Sequence, residues 1–263
     1  MTGLAYAEAG QGRALVLLHA FPLTRRMWQF QYGALSTGLR LVTPDLSGFG
    51  ESVRATQTPD LGVVADAVVA LCEELGLDDI VLGGLSMGGY VAMEVLRRRP
   101  GLAGALILAD TKSGVDTEAA RGNRERIASL LEDSGSSRVL VDEVLPTLIG
   151  DTTRAERPET VQLVRTMVDS ADPAAAAWAQ RAMAGRRDSG DVLHATDVPA
   201  LVVVGTEDTL SPPSEAEAMC AALPRARLVR IAGAGHLSAL EAPTAFNRAV
   251  LDLLELSARP GGG

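Results

Sequence analysis

The chain has 263 residues, of which 47% are hydrophobic and 22% charged. That much apolar material excludes a disordered chain and can build a large buried core in one or two domains. A net charge of −9, from 24 basic and 33 acidic residues, opposes binding to a phosphate backbone, which requires a basic surface.

No apolar run approaches the ~20 residues that cross a bilayer. No basic and then apolar leader opens at Met1-Thr2-Gly3-Leu4. A cytoplasmic protein that touches neither nucleic acid nor membrane is expected, as a monomer or a homodimer. Cys72 and Cys220 fall in different helical patterns and are expected to be buried free thiols in a reducing compartment. No CxxC or HExxH spacing occurs, so no metal and no cofactor are expected.

In chain order, residues 4–7 read as an edge strand. Residues 14–18, 39–44, 80–82, 105–109, 200–204 and 228–231 are short apolar runs, the pattern of strands buried on both faces. Between them, Leu61, Val64, Ala65, Val68, Leu71, Cys72 and Leu75 recur at helical spacing, as do Phe246, Ala249, Val250, Leu253 and Leu254 after Pro243. Arg97-Arg98-Arg99, at an expected helix end, reads as a complement to the helix dipole on a solvated face. Alternating strands and helices predict an α/β fold, a mostly parallel sheet of about seven or eight strands covered on both sides. The alternation stops between about residues 111 and 196. That stretch holds only helical patterns, near 118–132, 138–149, 158–169 and 173–184. The expected organisation is therefore a core of residues 1–111 and 196–263 with an inserted helical lid over 112–195.

Gly84-Leu85-Ser86-Met87-Gly88 carries the strongest chemical signal. It follows a predicted strand and opens a predicted helix, the context a G-x-S-x-G nucleophile turn requires. Glycines two residues to either side remove side chains that would clash in so sharp a turn. Ser86 then projects above the sheet, and the Met87 N–H points to a developing oxyanion at a helix N-terminus. The plain alternative is a serine that only caps the helix. The sequence contains three histidines, His19, His194 and His236. His236, carried past a predicted strand by Ala232-Gly233-Ala234-Gly235, is the candidate base for Ser86. The base needs an orienting acid. Asp208, just past the strand at 200–204, is favoured; Asp110, which also ends a strand, competes, and Glu207 adjoins. The loop His19-Ala20-Phe21-Pro22 follows the strand at 14–18. Its Phe21 N–H is the second candidate oxyanion donor, since Pro22 has none. His19 is expected to brace this loop and His194 to be structural.

In these pieces the chain resembles the α/β-hydrolase superfamily. They are His19–Pro22, the run Pro44-Asp45-Leu46-Ser47-Gly48-Phe49-Gly50-Glu51-Ser52, Gly84–Gly88, Gly205–Asp208 and Gly235-His236. Ser86, Asp208 and His236 follow the superfamily's order. Ala20 departs from the His-Gly-x-Pro loop of many relatives, and Ser47 stands where relatives often carry arginine. The chain looks most like the small lidded bacterial group of 3-oxoadipate enol-lactonases and carboxylesterases. The resemblance implies a serine hydrolase acting on carboxylic esters or lactones of small to medium size. Phe21, Trp28 and Trp178 are the expected substrate-lining residues, with Met87 beside them; for both tryptophans, core or lid packing is the competing role. A substrate with a second carboxylate would call for a basic group in the pocket, and Arg25, Arg26, Arg181, Arg186 and Arg187 are the candidates. Rival readings are a carbon–carbon bond hydrolase, a cofactor-free perhydrolase, a biosynthetic cyclase, or a non-catalytic ligand-binding module on the same fold.

Overall fold

A computed structural model describes residues 3–257. Met1 and Thr2, where the leaderless start was read, lie outside the described residues. Six of the apolar runs pair side by side as parallel strands. β1 (Tyr6–Ala9) and β2 (Arg13–Leu18) lead through a short helical turn (Arg25–Trp28) and α1 (Gln29–Leu35) to β3 (Leu39–Pro44). Then follow α2 (Leu61–Glu74), β4 (Ile80–Leu85), α3 (Met87–Arg98) and β5 (Ala103–Ala109). After the helical insertion come β6 (Ala200–Gly205), α10 (Pro213–Ala222), β7 (Ala226–Ile231), α11 (Ser238–Glu241) and α12 (Pro243–Ser257).

The sheet order is β1-β3-β2-β4-β5-β6-β7. β1 runs antiparallel on β3 and every other pair is parallel. β4 and β6 are buried at every residue, as apolar strands covered on both faces must be. The edge strand β1 alternates towards solvent and β7 is only partly buried, and Arg227 and Arg230 put charge on the β7 edge, which discourages pairing with another chain. The winding reverses between β2 and β4. In such a sheet the loops leaving those two strands diverge and open a crevice at their carboxyl ends. The Phe21 loop leaves β2 there, and Ser86 leaves β4.

Between β5 and β6 the described chain is helical. α4 (Glu118–Ser134) starts on a Thr117 side chain that accepts from the Ala120 N–H, and ends at Gly135 in the left-handed conformation (φ 58°), an ordinary helix stop. The segment expected near 138–149 is a π-helical turn (Leu140–Val144) running into α5 (Leu145–Leu148). α7 (Pro158–Asp169) and α8 (Pro173–Ala184) are joined by α6 (Asp151–Glu156) before them and α9 (Gly190–Ala195) after them. These two are single turns or little more, too short for periodicity to reveal.

The arginine run at the end of α3 is largely solvated, as expected, and is also ion-paired. Arg97 pairs with Asp191 of α9, Arg98 with Asp66 of α2, and Arg99 with Glu73 of α2. The three tie α3 to its neighbours. Both cysteines are free thiols; Cys72 is buried, Cys220 only partly so, and burial pushes the Cys72 thiol up to about 11. Among the described residues no helix is long and apolar enough to cross a membrane.

Candidate active site

Ser86 sits at φ 55°, ψ −116°, a backbone conformation that non-glycine residues adopt only under local constraint. The constraint is visible on both sides. The Ser86 N–H donates to the Ala109 carbonyl at 2.9 Å, and Thr111 Oγ1 donates to the Ser86 carbonyl at 2.9 Å. The glycines allow the turn to close: a Cβ on Gly84 would lie 2.1 Å from the Gly88 carbonyl oxygen, and one on Gly88 2.1 Å from that of Leu18. Met87 opens α3, and the first turn of a helix leaves its N–H groups without intrahelical acceptors. Ser86 offers no side-chain cap, so its hydroxyl is free for other work.

That hydroxyl lies 2.7 Å from His236 Nε2. On the other side of the ring, Nδ1 is 2.9 and 3.0 Å from the two Asp208 oxygens. Asp208 Oδ1 also accepts from the Leu210 and Ser211 N–H groups at 2.9 and 3.0 Å. These donors fix the carboxylate, which in turn fixes the tautomer that leaves Nε2 free to accept the serine proton. Burial works against charge on His236. The facing Asp208, with Asp110 and Glu241 behind it, outweighs burial and holds the imidazole above its ordinary value.

The two other carboxylates near Ser86, His236 and Asp208 serve different ends. Asp110 is fully buried and, at φ 45°, also strained. It does not touch His236. Its Oδ1 accepts from the Gly205 N–H at 2.9 Å, and its Oδ2 meets the Ser238 N–H at 3.0 Å and hydroxyl at 2.5 Å. It therefore links the turn that carries Asp208 to the loop that carries His236. Burial and the nearby Asp208 push Asp110 up to about 8. Glu207 points away, to the Thr152 N–H at 2.9 Å and the Thr152 hydroxyl.

Glu241 was not singled out in the sequence, yet it is buried beside the site. Its carboxylate accepts from the Leu237 N–H at 3.0 Å and from the Gly150 N–H at 2.9 Å, joining the base loop to the insertion. Gly150 and Gly235 touch so closely that a Cβ on Gly235 would lie 2.2 Å from the Gly150 nitrogen. Glycine in the His236 loop is thus demanded by the helical insertion. A buried acidic residue five positions after the candidate base was the available signal, but one carboxylate in an amphipathic helix is an ordinary sight.

A cavity of about 330 Å³ opens over Ser86 and His236, between the sheet edge and the helical insertion. Phe21 and Tyr90 line it from the core, and Ile127, Val144, Leu148 and Met183 from the insertion. Of the expected lining residues, Phe21 is there. Trp28 is not: it is fully buried in the core with its ring 6.0 Å from Phe246. Trp178 is not there either; its indole N–H donates to the Gln57 carbonyl at 2.8 Å and holds α8 to the loop before α2. Both rings serve packing, and Trp178 also uses its polar edge.

His19 braces the loop that follows β2. Burial lowers its pKa, and the neutral ring accepts the Leu46 N–H on Nε2 at 2.8 Å while Nδ1 lies 2.9 Å from the Ala20 carbonyl. His194 is exposed on α9 and bonds only the Gly190 carbonyl, at 2.7 Å.

None of the five arginines weighed for a pocket role lines the cavity. Arg25 pairs with Asp45 and Glu51, Arg181 with Glu125 and Glu132, and Arg187 with Glu94. Arg186 is buried behind the wall, 2.7 Å from Asp116 and stacked 4.3 Å over the Tyr90 ring. The cations that do reach the cavity are Lys112 and Arg124.

An α/β sheet with a serine on the turn after its central strand, and an imidazole and a carboxylate on two later loops, defines a class of fold and site. The Alpha/beta hydrolase family model matches residues 15–249, and the chain belongs to that family. It is 39% identical to a thermophilic esterase from Thermogutta terrifontis solved with malate bound, with a TM-score of 0.93 over 97% of this chain and 94% of that one. It is 25% identical to the enol-lactonase from Burkholderia xenovorans LB400, with a TM-score of 0.88 and 96% of each chain covered. It is also 28% identical over 239 residues to the pimeloyl-acyl-carrier-protein methyl ester esterase of Aromatoleum aromaticum, covering 87% of this chain and 93% of that one.

Proposed function

We propose that this hydrolase cleaves carboxylic esters or lactones of small to medium size through an acyl-enzyme on Ser86. The observation that carries the reading is the unbroken chain from Ser86 Oγ to His236 Nε2 at 2.7 Å and from His236 Nδ1 to Asp208 at 2.9 Å. His236 takes the serine proton as Oγ attacks the carbonyl carbon, and Asp208 stabilises the imidazolium that forms. The oxygen becomes an oxyanion between the Phe21 and Met87 N–H groups. Collapse expels the alcohol, protonated by His236. Water, activated by the same imidazole, then releases the acid. In a lactone the expelled alcohol stays on the same molecule. No metal or organic cofactor enters these steps. Esterase and lactonase names among the relatives support the ester-bond reading, and a cavity of about 330 Å³ suits a small acyl group.

The test is a series of p-nitrophenyl esters from acetate to dodecanoate with the intact chain and Ser86→Ala. Turnover should peak at short chains and fall in the variant by at least about 10⁴-fold. Equal turnover in the variant, or an optimum at dodecanoate, would contradict the reading.

A further inference from the structure

Among the 24 basic residues of the chain exactly one kind is rare: Lys112 is the sole lysine, and it lines the catalytic cavity. It follows Thr111, whose hydroxyl holds the Ser86 carbonyl at 2.9 Å, so it stands where the sheet edge passes into the helical insertion. Its only ionic partner among the described residues is Asp116, at 3.6 Å, which is too long for a hydrogen bond. Lys112 faces Asp116 Oδ1, while Arg124 Nε at 2.5 Å and Arg186 Nη1 at 2.7 Å both hold Oδ2. Arg124 gives a second N–H to Gln180 at 3.0 Å. Three cations thus share one carboxylate. The remaining cavity acid, Glu143, is paired with Arg126, so Arg126 and Arg186 behind the wall tip an otherwise balanced set of lining charges to positive. Of the three cations on Asp116, Arg124 and Arg186 are structural, locking the start of the insertion to α4 and to the segment after α8. Lys112 is not: no acceptor among the described residues lies within hydrogen-bonding distance of its ammonium, which carries three donors.

We infer that Lys112, backed by Arg124, is an anion subsite, and that the substrate carries a carboxylate besides the bond that is cleaved. The inference rests on the ester-hydrolase reading for its substrate, though not for its binding site. The surface cannot supply this selectivity, because a net charge of −9 repels an anion at long range. Preference must arise at short range inside the cavity, where a charge-assisted hydrogen bond is strong.

The experiment compares kcat/KM for monomethyl glutarate and dimethyl glutarate in the intact chain, Lys112→Met and Lys112→Arg, and measures glutarate binding to each by calorimetry. The intact chain should favour the monoester by about tenfold or more, the size of one charged hydrogen bond. Lys112→Met should lose that ratio and weaken glutarate binding by a similar factor. Lys112→Arg should keep most of both, which separates loss of charge from loss of fold. Ester turnover with a ratio that Lys112→Met does not move would overturn the subsite and leave the hydrolase reading standing. If neither ester is cleaved and a fluorophosphonate fails to label Ser86, the hydrolase reading falls. Glutarate binding then decides the subsite: weakening in Lys112→Met sustains it, and equal or absent binding in the two chains overturns it.

Discussion

At the scale of single residues, the site is a set of carboxylates with the same chemistry and different surroundings. Asp208 faces the imidazole, Asp110 ties two loops together, and Glu207 and Glu241 reach to the insertion. Because His236 is held above its ordinary value, the free base is lost as pH falls through a pKa above about 6.5. The kcat/KM profile on a neutral ester should show its acid limb there. Asp208→Asn should lower kcat by about 10³–10⁴-fold and move the remaining limb to lower pH, since the facing negative charge is gone. Asp110 titrates in the opposite sense to a salt-bridged acid. Its folded pKa of about 8 lies above the unfolded value of about 4, so between those values the folded chain holds the extra proton and stability falls as pH rises. Denaturant unfolding between pH 5 and 8 (on the order of this whole window) should therefore be flatter in Asp110→Asn than in the intact chain. The two cysteines give an independent check. With its thiol pushed up to about 11 and buried, Cys72 should resist a disulfide reagent until the chain unfolds.

At the scale of elements, the carboxyl edge of the sheet and the helical insertion are built as one piece. Asp116, buried before α4, is gripped by Arg124 from α4 and Arg186 from the segment after α8. Burial opposes its charge, but these guanidiniums outweigh it and hold the carboxyl down to about 2. Its contribution is present above the ordinary carboxylate range and is lost as pH falls towards 2. Asp116→Ala leaves two cations facing each other with no anion between them and should cost about 3–5 kcal/mol, read as a lower denaturation midpoint. The same variant should disturb Lys112 less, because that ammonium lies 3.6 Å away and donates no hydrogen bond to Asp116.

At the scale of the whole molecule, much of the plan is legible along the chain. Apolar runs buried on both faces announce themselves, and β4 and β6 are such runs. The glycine spacing around Ser86 states its steric reason in the sequence. What stays hidden depends on partners distant in the chain. Trp28 and Trp178 show that an aromatic side chain will be buried, without showing whether it meets a ligand or Phe246. Asp110 and Asp208 both end strands, and only the pairing of β5 with β6 decides that one faces the base and the other ties its loop. The arginines weighed for the pocket were drawn off by acids on other helices. Lys112 had a signal in plain view, its being the only lysine, but its place beside Ser86 needed the fold.

The proposed chemistry passes through a covalent intermediate at Ser86. The most direct measurement is rapid mixing of the chain with p-nitrophenyl acetate, following p-nitrophenol release and then the mass of the acid-quenched protein. A burst of one equivalent per chain, with an acetyl group mapped to the peptide holding Ser86 and absent in Ser86→Ala, is the predicted result. No burst and no adduct, while ester is still consumed at the same rate in both chains, would contradict it.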